Sequence, residues 1–305
     1  MMASPDTIMS VSASASASAS ASASASPTLT NPSTAPSSET AIQFVTTKAF
    51  WNHARSTSQE ILTFQGVFPQ DFTRLCEERG HNGRAIRFRR YNAQERILIV
   101  LIPGSPHEVL HRKLNQEYIK QVEHMGLEDN WADLGSTTFR KQGHPNGDGG
   151  EGDSTGTPRP QRIKGWPTLI IEAGDSSSLE ALRMDMEWWF RASNHEVKIV
   201  LLAKLYRHGR RIILEKWVET QPAASRPGPR TRSATILRPD RAQEIIITWA
   251  PGLANTPASH VVTRGALRLE FGLLFLHPPG PAEGDFIIAV PRLQVWASQV
   301  WENVD

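Results

Sequence analysis

Apolar residues recur with two different periods between residues 60 and 130, and each period predicts its own kind of element. The stretch "FPQDFTRLCEERG" places Phe72, Leu75 and Cys76 on one face of a helix. In "AIRFRRYNAQERILIVLIP", apolar and charged residues alternate up to the turn "YNAQ" and an apolar run follows, which predicts a β-hairpin. The stretch "SPHEVLHRKLNQEYIKQVEHMG" then predicts a long helix, with a proline suited to its first turn.

The centre of the chain alternates apolar strands with one amphipathic helix. "WPTLIIEAG" predicts a buried strand, "SSSLEALRMDMEWWFRAS" a helix, and "VKIVLLAKLY" and "GRRIILEKWVE" two further strands. "GSTTFRKQ", "QEIIITWAPG" and "ALRLEFGLLFL" also predict strands, and "DFIIAVPRLQVWASQVW" contains a closing helix. This order indicates the α/β or α+β class, with a mixed central sheet flanked by helices and with extra strands and a helix at the C-terminal end.

Low-complexity composition sets the predicted boundaries of the folded part. Residues 1–45 are rich in Ser and Ala and include the repeat "SASASASASASASAS", so we expect a disordered tail that cannot bury enough apolar surface to fold. Residues 46–305 are expected to form a single domain. Glycine- and proline-rich stretches predict flexible loops within it near 141–163 and 220–234.

Composition narrows the classes of function. Lys and Arg total 33 and Asp and Glu total 31, so a net charge of +2 excludes a strongly basic nucleic-acid coat. Cys76 is the only cysteine, which excludes an intrachain disulfide and a cysteine-based zinc site and favours an intracellular location, cytoplasmic or nuclear. No apolar run approaches the roughly 20 residues that cross a bilayer, so no membrane partner is expected.

The stretch "HEVLH" matches the H-E-x-x-H pattern of zinc proteases. On a helix it places His107 and His111 one turn apart as zinc ligands, with Glu108 as general base. The continuation "RKLNQEY" lacks the glycine and third histidine of the extended pattern, and Glu123 is the conceivable third ligand on the same helix. His107 also falls in the first helical turn, directly after a proline. A zinc protease is therefore the third of the functions considered.

Two carboxylates form a second candidate site. Glu172 ends the apolar strand "TLII", where a carboxylate is costly unless it is paired or metal-bound, and Asp153 lies in the glycine-rich stretch before it. Carboxylates that converge from neighbouring strand ends can hold Mg²⁺, which prefers oxygen ligands. Alternatively, Glu172 pairs with an arginine and Asp153 is an ordinary loop residue.

The order of the elements resembles that of a known superfamily. An apolar hairpin, "P-x-x-x-H" at the start of a helix, an acidic loop, "WPTLIIEAGDSSS", a helix ending in aromatics and "VKIVLLAKL" together resemble the PD-(D/E)XK, restriction-endonuclease-like nucleases over roughly residues 60–205. The stretch "IEAGDSSS" is similar to the acid-turn-Ser pattern of a branch of endonucleases that includes uncharacterised fungal proteins. The resemblance implies a restriction-endonuclease-like core.

The resemblance also implies roles for particular residues. Asp153 matches the first acid of the pattern and Glu172 the second, so both would hold Mg²⁺ (or Mn²⁺). The pattern places a lysine two positions after the second acid, where this chain has Gly174, and "GD" replaces "PD". Because some members relocate the lysine, Lys198 at the start of "VKIVLLAKL" would take its part. His107 or Glu108 would line the same site.

These observations lead to one principal function and one alternative from another class. The principal expectation is a metal-dependent endonuclease that hydrolyses phosphodiester bonds of DNA, with phosphate contacts from the basic stretches Arg84–Tyr91 and Arg207–Arg211. The alternative is a nuclease-like fold that has lost catalysis and acts as a binding or scaffolding module. Trp188 and Trp189 are expected to pack on the sheet rather than stack on bases.

Overall fold

The chain is described by a computed structural model over residues 41–81, 86–144, 146–162, 164–221 and 237–304. These residues lie within one compact unit. Most of residues 1–45, the predicted disordered tail, therefore lies outside the described part.

Helices and strands alternate along most of the described chain. The helices are α1 (Thr47–Ser56), α2 (Pro69–Glu78), α3 (Ser105–His124), α4 (Leu179–Ala192), α5 (Phe271–Phe275) and α6 (Val290–Trp301). The strands are β1 (Ile42–Gln43), β2 (Ile61–Gln65), β3 (Arg87–Asn92), β4 (Ile97–Leu101), β5 (Trp131–Asp133), β6 (Thr138–Arg140), β7 (Gly149–Glu151), β8 (Ser154–Pro158), β9 (Leu169–Gly174), β10 (Ile199–Tyr206), β11 (Arg211–Thr220), β12 (Arg238–Trp249), β13 (His260–Thr263), β14 (Leu267–Leu269) and β15 (Phe286–Ile288).

The strands of the described residues form three sheets. The first sheet has the order β1-β2-β4-β3-β7-β6, the second has β13-β12-β11-β10-β9-β8-β5, and β14 pairs with β15 in a small third sheet. In the second sheet β9 and β10 are parallel, with α4 as the crossover between them, whereas β8 runs antiparallel to β9. This mixed arrangement of helices and sheets confirms the predicted α/β or α+β class.

Helices cover both faces of the second sheet around β9. Leu169, Ile171 and Ala173 on one face of β9 share a buried cluster with α3, α5 and α6. Ile170 on the opposite face packs with α4. Because side chains alternate between the faces of a strand, Glu172 lies on the same face as Ile170 and therefore on the α4 side.

The first sheet has its own core. Phe50 and Trp51 of α1 and Phe72 and Leu75 of α2 pack with the buried residues of β2, β3 and β4. The predicted hairpin is confirmed as β3 and β4, which pair with a register shift near the start of β3. In the described residues no helix is both long enough and apolar enough to cross a membrane.

The glycine-rich stretch before β9, expected as a flexible loop near 141–163, contains two strands in its second half, while residues 141–144 and 146–148 form turns and irregular structure. The two strands are β7 and β8, and both are buried along their length. A Cβ at Gly150 would lie 3.0 Å from the Trp188 ring, and one at Gly156 would come closer than 3.0 Å to three atoms of the Trp131 indole. These glycines are needed for close packing of the backbone against aromatic rings, which composition alone does not distinguish from a flexible loop.

Two further expectations need correction or fall outside the described part. The stretch "ALRLEFGLLFL" contains the short strand β14 but continues as helix α5, where Phe271 and Phe275 stack with ring centroids 4.7 Å apart. Strand β1 lies inside the predicted tail of 1–45 and pairs with β2. The loop predicted near 220–234 lies almost wholly outside the described residues, since 222–236 are not described.

Candidate metal centre

Helix α3 presents two buried histidines on one face of its first two turns. His107 and His111 are four residues apart, which places their rings on the same side of the helix with centroids 5.6 Å apart. Pro106 lies in the first turn, where its missing N–H costs no hydrogen bond. Each histidine side chain is only 1% exposed, so both are removed from bulk water.

Asp153 approaches the two histidines from the connection between the two large sheets. It lies between β7 of the first sheet and β8 of the second. Its Oδ2 accepts a hydrogen bond of 2.8 Å from the backbone N–H of Ala173 on β9, which holds the carboxylate against the edge of the second sheet. The candidate centre therefore lies where α3 meets both sheets.

His107, His111 and Asp153 each offer a donor atom, and these atoms lie within 4.8 Å of one another. His107 Nε2 is 3.0 Å from Asp153 Oδ1, yet neither ring nitrogen of His107 has an aligned hydrogen bond to a described residue. Two ligands that bind one ion at about 2.1 Å and at right angles are separated by about 3.0 Å. The spacing of these two atoms fits ligands of one metal ion.

The third member of the group is also oriented for coordination. His111 Nδ1 and Ser154 Oγ share a buried hydrogen bond of 2.8 Å. No described residue makes an aligned hydrogen bond to His111 Nε2. When Nδ1 donates to the serine, Nε2 carries the lone pair that a metal requires, and such an outer hydrogen bond is how proteins set the tautomer of a ligating histidine.

Electrostatics favour a cation at the centre. Burial disfavours a charge on His107, but the Asp153 carboxylate, with Glu60 and Glu108, raises the pKa of His107 above its ordinary value. Burial likewise acts against the charge of Asp153, but His107 and His111 hold the pKa of Asp153 well below its usual range. The surrounding carboxylates thus favour a positive charge at His107, and a divalent cation bound there would take the place of the proton.

The donor set indicates which metals fit. Two imidazoles and one carboxylate suit Zn²⁺ and related transition metals, whereas Mg²⁺ favours oxygen ligands. Three protein ligands with positions left for water or substrate are typical of catalytic rather than structural zinc. Mg²⁺ or Mn²⁺ held by Asp153 and Glu172 stays a prediction, since the converging atoms belong to a different set of residues.

A polar pocket of about 310 Å³ opens beside His111 and Asp153. Arg87 and Arg112 supply positive charge to its wall, and Arg87 also donates a hydrogen bond of 3.0 Å to Ser136 Oγ. Arg87 Nε lies 3.6 Å from Asp153 Oδ1. A pocket that combines a candidate metal position with two guanidinium groups suits an anionic ligand.

The comparisons with known proteins add no family. No protein-family model matches this chain, and no curated protein matches it significantly in sequence.

Glu172 is buried but does not belong to the converging group. Its side chain is on the α4 side of β9, where its Oε1 accepts a hydrogen bond of 2.5 Å from the Trp189 indole. Burial raises the pKa of Glu172 well above its ordinary value, and the negative charges of Asp153 and Asp185 raise it further. These effects favour the protonated form of Glu172, whereas the hydrogen bond from Trp189 and the charge of Arg89 favour the ionised form and lower its pKa. Its contact with Trp189 also confirms that this tryptophan packs on the sheet.

A side chain at Gly174, where the resemblance requires a lysine, would press on the side chain of a neighbouring leucine. A Cβ at this position would lie 2.9 Å from Leu182 of α4. The residue beside it in the sheet is Lys204 of β10, which pairs in register with Gly174. Lys204 is buried, and its ammonium donates a hydrogen bond of 2.5 Å to the Asp175 carbonyl. Sequence inspection missed Lys204 because it lies inside an apolar run.

The expected role of Lys198 is wrong. Its ammonium donates a hydrogen bond of 2.7 Å to the His195 carbonyl. Glu172 pairs in register with Leu202, which is four residues further along β10 and so about 13 Å away along the strand. The two strands are parallel, so Lys198 lies near the amino end of this strand pair and Glu172 near its carboxyl end.

Two arginines of the basic stretch Arg84–Tyr91, Arg89 and Arg90, are engaged within the fold and not at a phosphate-binding surface. Arg89 and Arg90 both pair with Asp185, at 2.7 and 2.5 Å, and Arg89 also donates to Ser177. Arg90 lies over the Trp188 ring at 3.9 Å from its centroid. These arginines link β3 to α4, and their charges are paired with a carboxylate within the fold.

Glu108 of the H-E-x-x-H stretch is held by two arginines. Its Oε1 lies 2.9 Å from Arg87 Nη2 and its Oε2 lies 2.5 Å from Arg112 Nε. Burial works against its charge, but the nearby His111 and the charges of Arg87 and Arg112 lower the pKa of Glu108 to about 2. A carboxylate with so low a pKa is a weak base at neutral pH. Glu123, the conceivable third zinc ligand, is exposed and lies outside the converging group.

The depressed pKa of Glu108 predicts a pH-dependent contribution to stability. A carboxyl whose pKa is lower in the folded than in the unfolded chain stabilises the fold above its unfolded pKa, and this contribution is lost as the pH falls through the folded pKa. We therefore expect wild type to exceed Glu108→Gln in unfolding free energy by about 2 kcal/mol near neutral pH, and this margin to shrink as the pH falls from about 4.5 toward about 2. Urea denaturation across this range measures the margin.

The exposed Glu123, on the same helix, supplies the control for that measurement. Glu123→Gln should change the unfolding free energy little and by the same amount at every pH. A margin between wild type and Glu108→Gln that stays constant over the acid range would contradict the assigned ion pairs.

Proposed function

We propose that the protein is a metal-dependent hydrolase of phosphodiesters, with the ion held by His107, His111 and Asp153. The convergence of these three buried donors beside a pocket with two arginines carries the proposal. A transition-metal ion in such a site lowers the pKa of bound water to about 7 and so supplies a nucleophile at neutral pH. Arg87 and Arg112 would neutralise the charge of the phosphate and orient it.

The arrangement of strands supports a link to the nuclease resemblance. Asp153 directly precedes β8, Glu172 lies on the antiparallel neighbour β9, and α4 leads from there to the parallel strand β10. The two acids thus follow the order in which the resemblance places them. DNA remains the proposed substrate on the strength of that resemblance.

Peptide hydrolysis is less well supported. Asp153 could serve as third ligand of an H-E-x-x-H zinc site. However, the presumed general base, Glu108, is tied to Arg87 and Arg112 with a pKa of about 2. An effective base at neutral pH needs a pKa much closer to 7.

A second candidate function is metal and anion binding without catalysis. The presence of glycine at position 174, where the resemblance requires a lysine, and the engagement of Glu172 by Trp189 favour it. In this case the fold is a binding or scaffolding module. The two candidates share the metal centre and differ only in turnover.

Hydrolysis of linear DNA and of a chromogenic aryl phosphodiester tests the proposal. With the full chain supplied in turn with Zn²⁺, Mn²⁺ and Mg²⁺, we expect Asp153→Asn to reduce the rate at least about 100-fold because a metal ligand is lost. Glu172→Gln should retain most of the activity, since a neutral side chain at this position can still accept the hydrogen bond from Trp189.

Three outcomes separate the candidates. Turnover lost in Asp153→Asn and kept in Glu172→Gln supports the proposed centre. Equal loss in both variants with Mg²⁺ supports the carboxylate pair expected from the sequence instead. Metal binding with no turnover of either substrate contradicts the hydrolase and supports the binding module.

A further inference from the structure

We propose that Arg87 and Arg112 form an anion-binding site for phosphate groups and that the chain's own Glu108 carboxylate occupies this site in the ligand-free protein. The proposal rests on the proposed function only in the expectation that the natural anion is a phosphate ester. The site adjoins the metal ligands, since Arg87 Nε lies 3.6 Å from Asp153 Oδ1 and Glu108 Oε1 lies 3.6 Å from His111 Nε2.

Two guanidinium groups contact the Glu108 carboxylate, which is an arrangement that proteins use to bind phosphate and carboxylate ligands. Each oxygen of its carboxylate faces a different guanidinium, Arg87 at 2.9 Å and Arg112 at 2.5 Å. The contact from Arg87 Nη2 is an aligned, charge-assisted hydrogen bond, whereas the contact from Arg112 Nε is an ion pair without hydrogen-bond alignment. A tetrahedral phosphate offers the same pair of oxygens and more charge.

Both arginines also have donors that Glu108 does not use. Arg87 is 7% exposed, and its Nε has no aligned hydrogen-bond partner among the described residues. Arg112 is 63% exposed, lines the pocket and contacts Glu108 through Nε, so its two Nη groups are not used in that contact. A buried donor without a partner is costly, so Arg87 in particular gains from an anion with additional oxygens.

Glu108 is placed so that it can leave. It belongs to the first turn of α3, and its side chain is 21% exposed, so rotation toward solvent requires no change in the helix. Once Glu108 moves, both guanidinium groups lose their closest described carboxylate. Arg87 keeps the longer contact of 3.6 Å with Asp153, and Asp133 also lines the pocket. An incoming phosphate and Glu108 therefore compete for the same guanidinium groups.

This competition makes Glu108 an internal inhibitor of anion binding. Removal of its charge should free both arginines and strengthen binding, and we expect Glu108→Gln to bind inorganic phosphate about tenfold more tightly than wild type. A purely structural role for Glu108 predicts the opposite sign, because loss of the ion pairs would loosen the pocket.

Isothermal titration of inorganic phosphate into the full chain, with metal removed by a chelator, tests the proposal. Wild type, Glu108→Gln and the double variant Glu108→Gln/Arg112→Gln are compared, with Glu123→Gln as the matched control on the same helix. The single variant should show the gain, the double variant should lose it, and the control should behave as wild type. Thermal unfolding with and without phosphate gives a second measurement, in which phosphate should raise Tm more for Glu108→Gln than for wild type.

Equal phosphate affinity in wild type and Glu108→Gln would overturn the proposal, and so would a gain that survives the loss of Arg112. Phosphate binding that appears only in the metal-loaded protein would assign the anion to the metal and also overturn it. The titration uses metal-free protein and does not measure turnover. Its result is therefore independent of the proposed function: the anion site can be present in a protein without hydrolase activity and absent from an active hydrolase.

Discussion

Replacement of His111 by alanine is expected to lower the affinity for Zn²⁺ by about three orders of magnitude, since one of three protein ligands is lost. His111 Nε2 is buried without an aligned hydrogen bond to a described residue and lies 3.6 Å from Glu108 Oε1, while Nδ1 is fixed by Ser154. Nε2 is therefore the nitrogen available to a metal ion. The substitution removes an imidazole beside the polar pocket and leaves the surrounding backbone intact. Metal content after purification and isothermal titration of Zn²⁺ measure the effect.

His124 supplies the matched control, since it is an exposed histidine near the end of the same helix. His124→Ala should bind Zn²⁺ as wild type does, which separates a specific site from general binding to surface imidazoles. If His111→Ala and His124→Ala retain the same stoichiometric metal, the three-residue centre does not exist. Measurements with Mg²⁺ in parallel should show weaker binding, because two of the three ligands are nitrogens.

The substitution Gly156→Ala is expected to lower the free energy of unfolding by about 3 kcal/mol, near the upper end for overpacked cores. A Cβ at this position would lie closer than 3.0 Å to three atoms of the Trp131 ring. Trp131 cannot yield easily, since it is buried among Tyr118 and Phe275, with ring centroids 5.2 and 5.4 Å away. Strand β8 would have to shift away from β5, and denaturant unfolding should detect the loss.

Gly284→Ala is the control for this prediction. A Cβ there would meet no atom within 4 Å, and Gly284 does not have a positive φ, so its substitution should change the free energy of unfolding by less than about 0.5 kcal/mol. Similar stability of the two variants would show that the close approach of β8 to Trp131 is not needed. Because β8 follows Asp153 directly, Gly156→Ala should also weaken metal binding.

The position of the candidate centre explains why so much of its surroundings is charged and buried. Asp153 and Arg87 come from the junction of the two large sheets, and His107 and His111 come from a helix that packs on one of them. Polar groups at such a junction are not buried by the apolar core of either sheet. The groups here are satisfied by one another and, in our proposal, by a metal ion and an anion.

The local pattern of apolar and polar residues was sufficient to predict the central helices and strands and part of the candidate site. The amphipathic period of α3, the apolar runs of β9 and β10 and the period of α4 follow from local spacing and burial, so the class could be predicted from the sequence. His107, Glu108 and Asp153 were also identified, because two motifs drew attention to them. That His107 and His111 lie on one face of a helix is a property of the helix itself.

Only the tertiary structure decided which residues meet. The carboxylate of Asp153 converges with the two histidines of α3. Glu172 accepts a hydrogen bond from Trp189 of α4, although it remains close enough to Asp153 for that charge to raise its pKa. Lys198 lies at the wrong end of β10 because the crossover from β9 is parallel, and the same register brings Lys204 beside Gly174. The sequence determined the local periods, which depend on neighbours a few residues apart. The ligand set and the buried glycine strands depend on contacts between residues far apart in the chain, whose geometry composition and spacing do not contain.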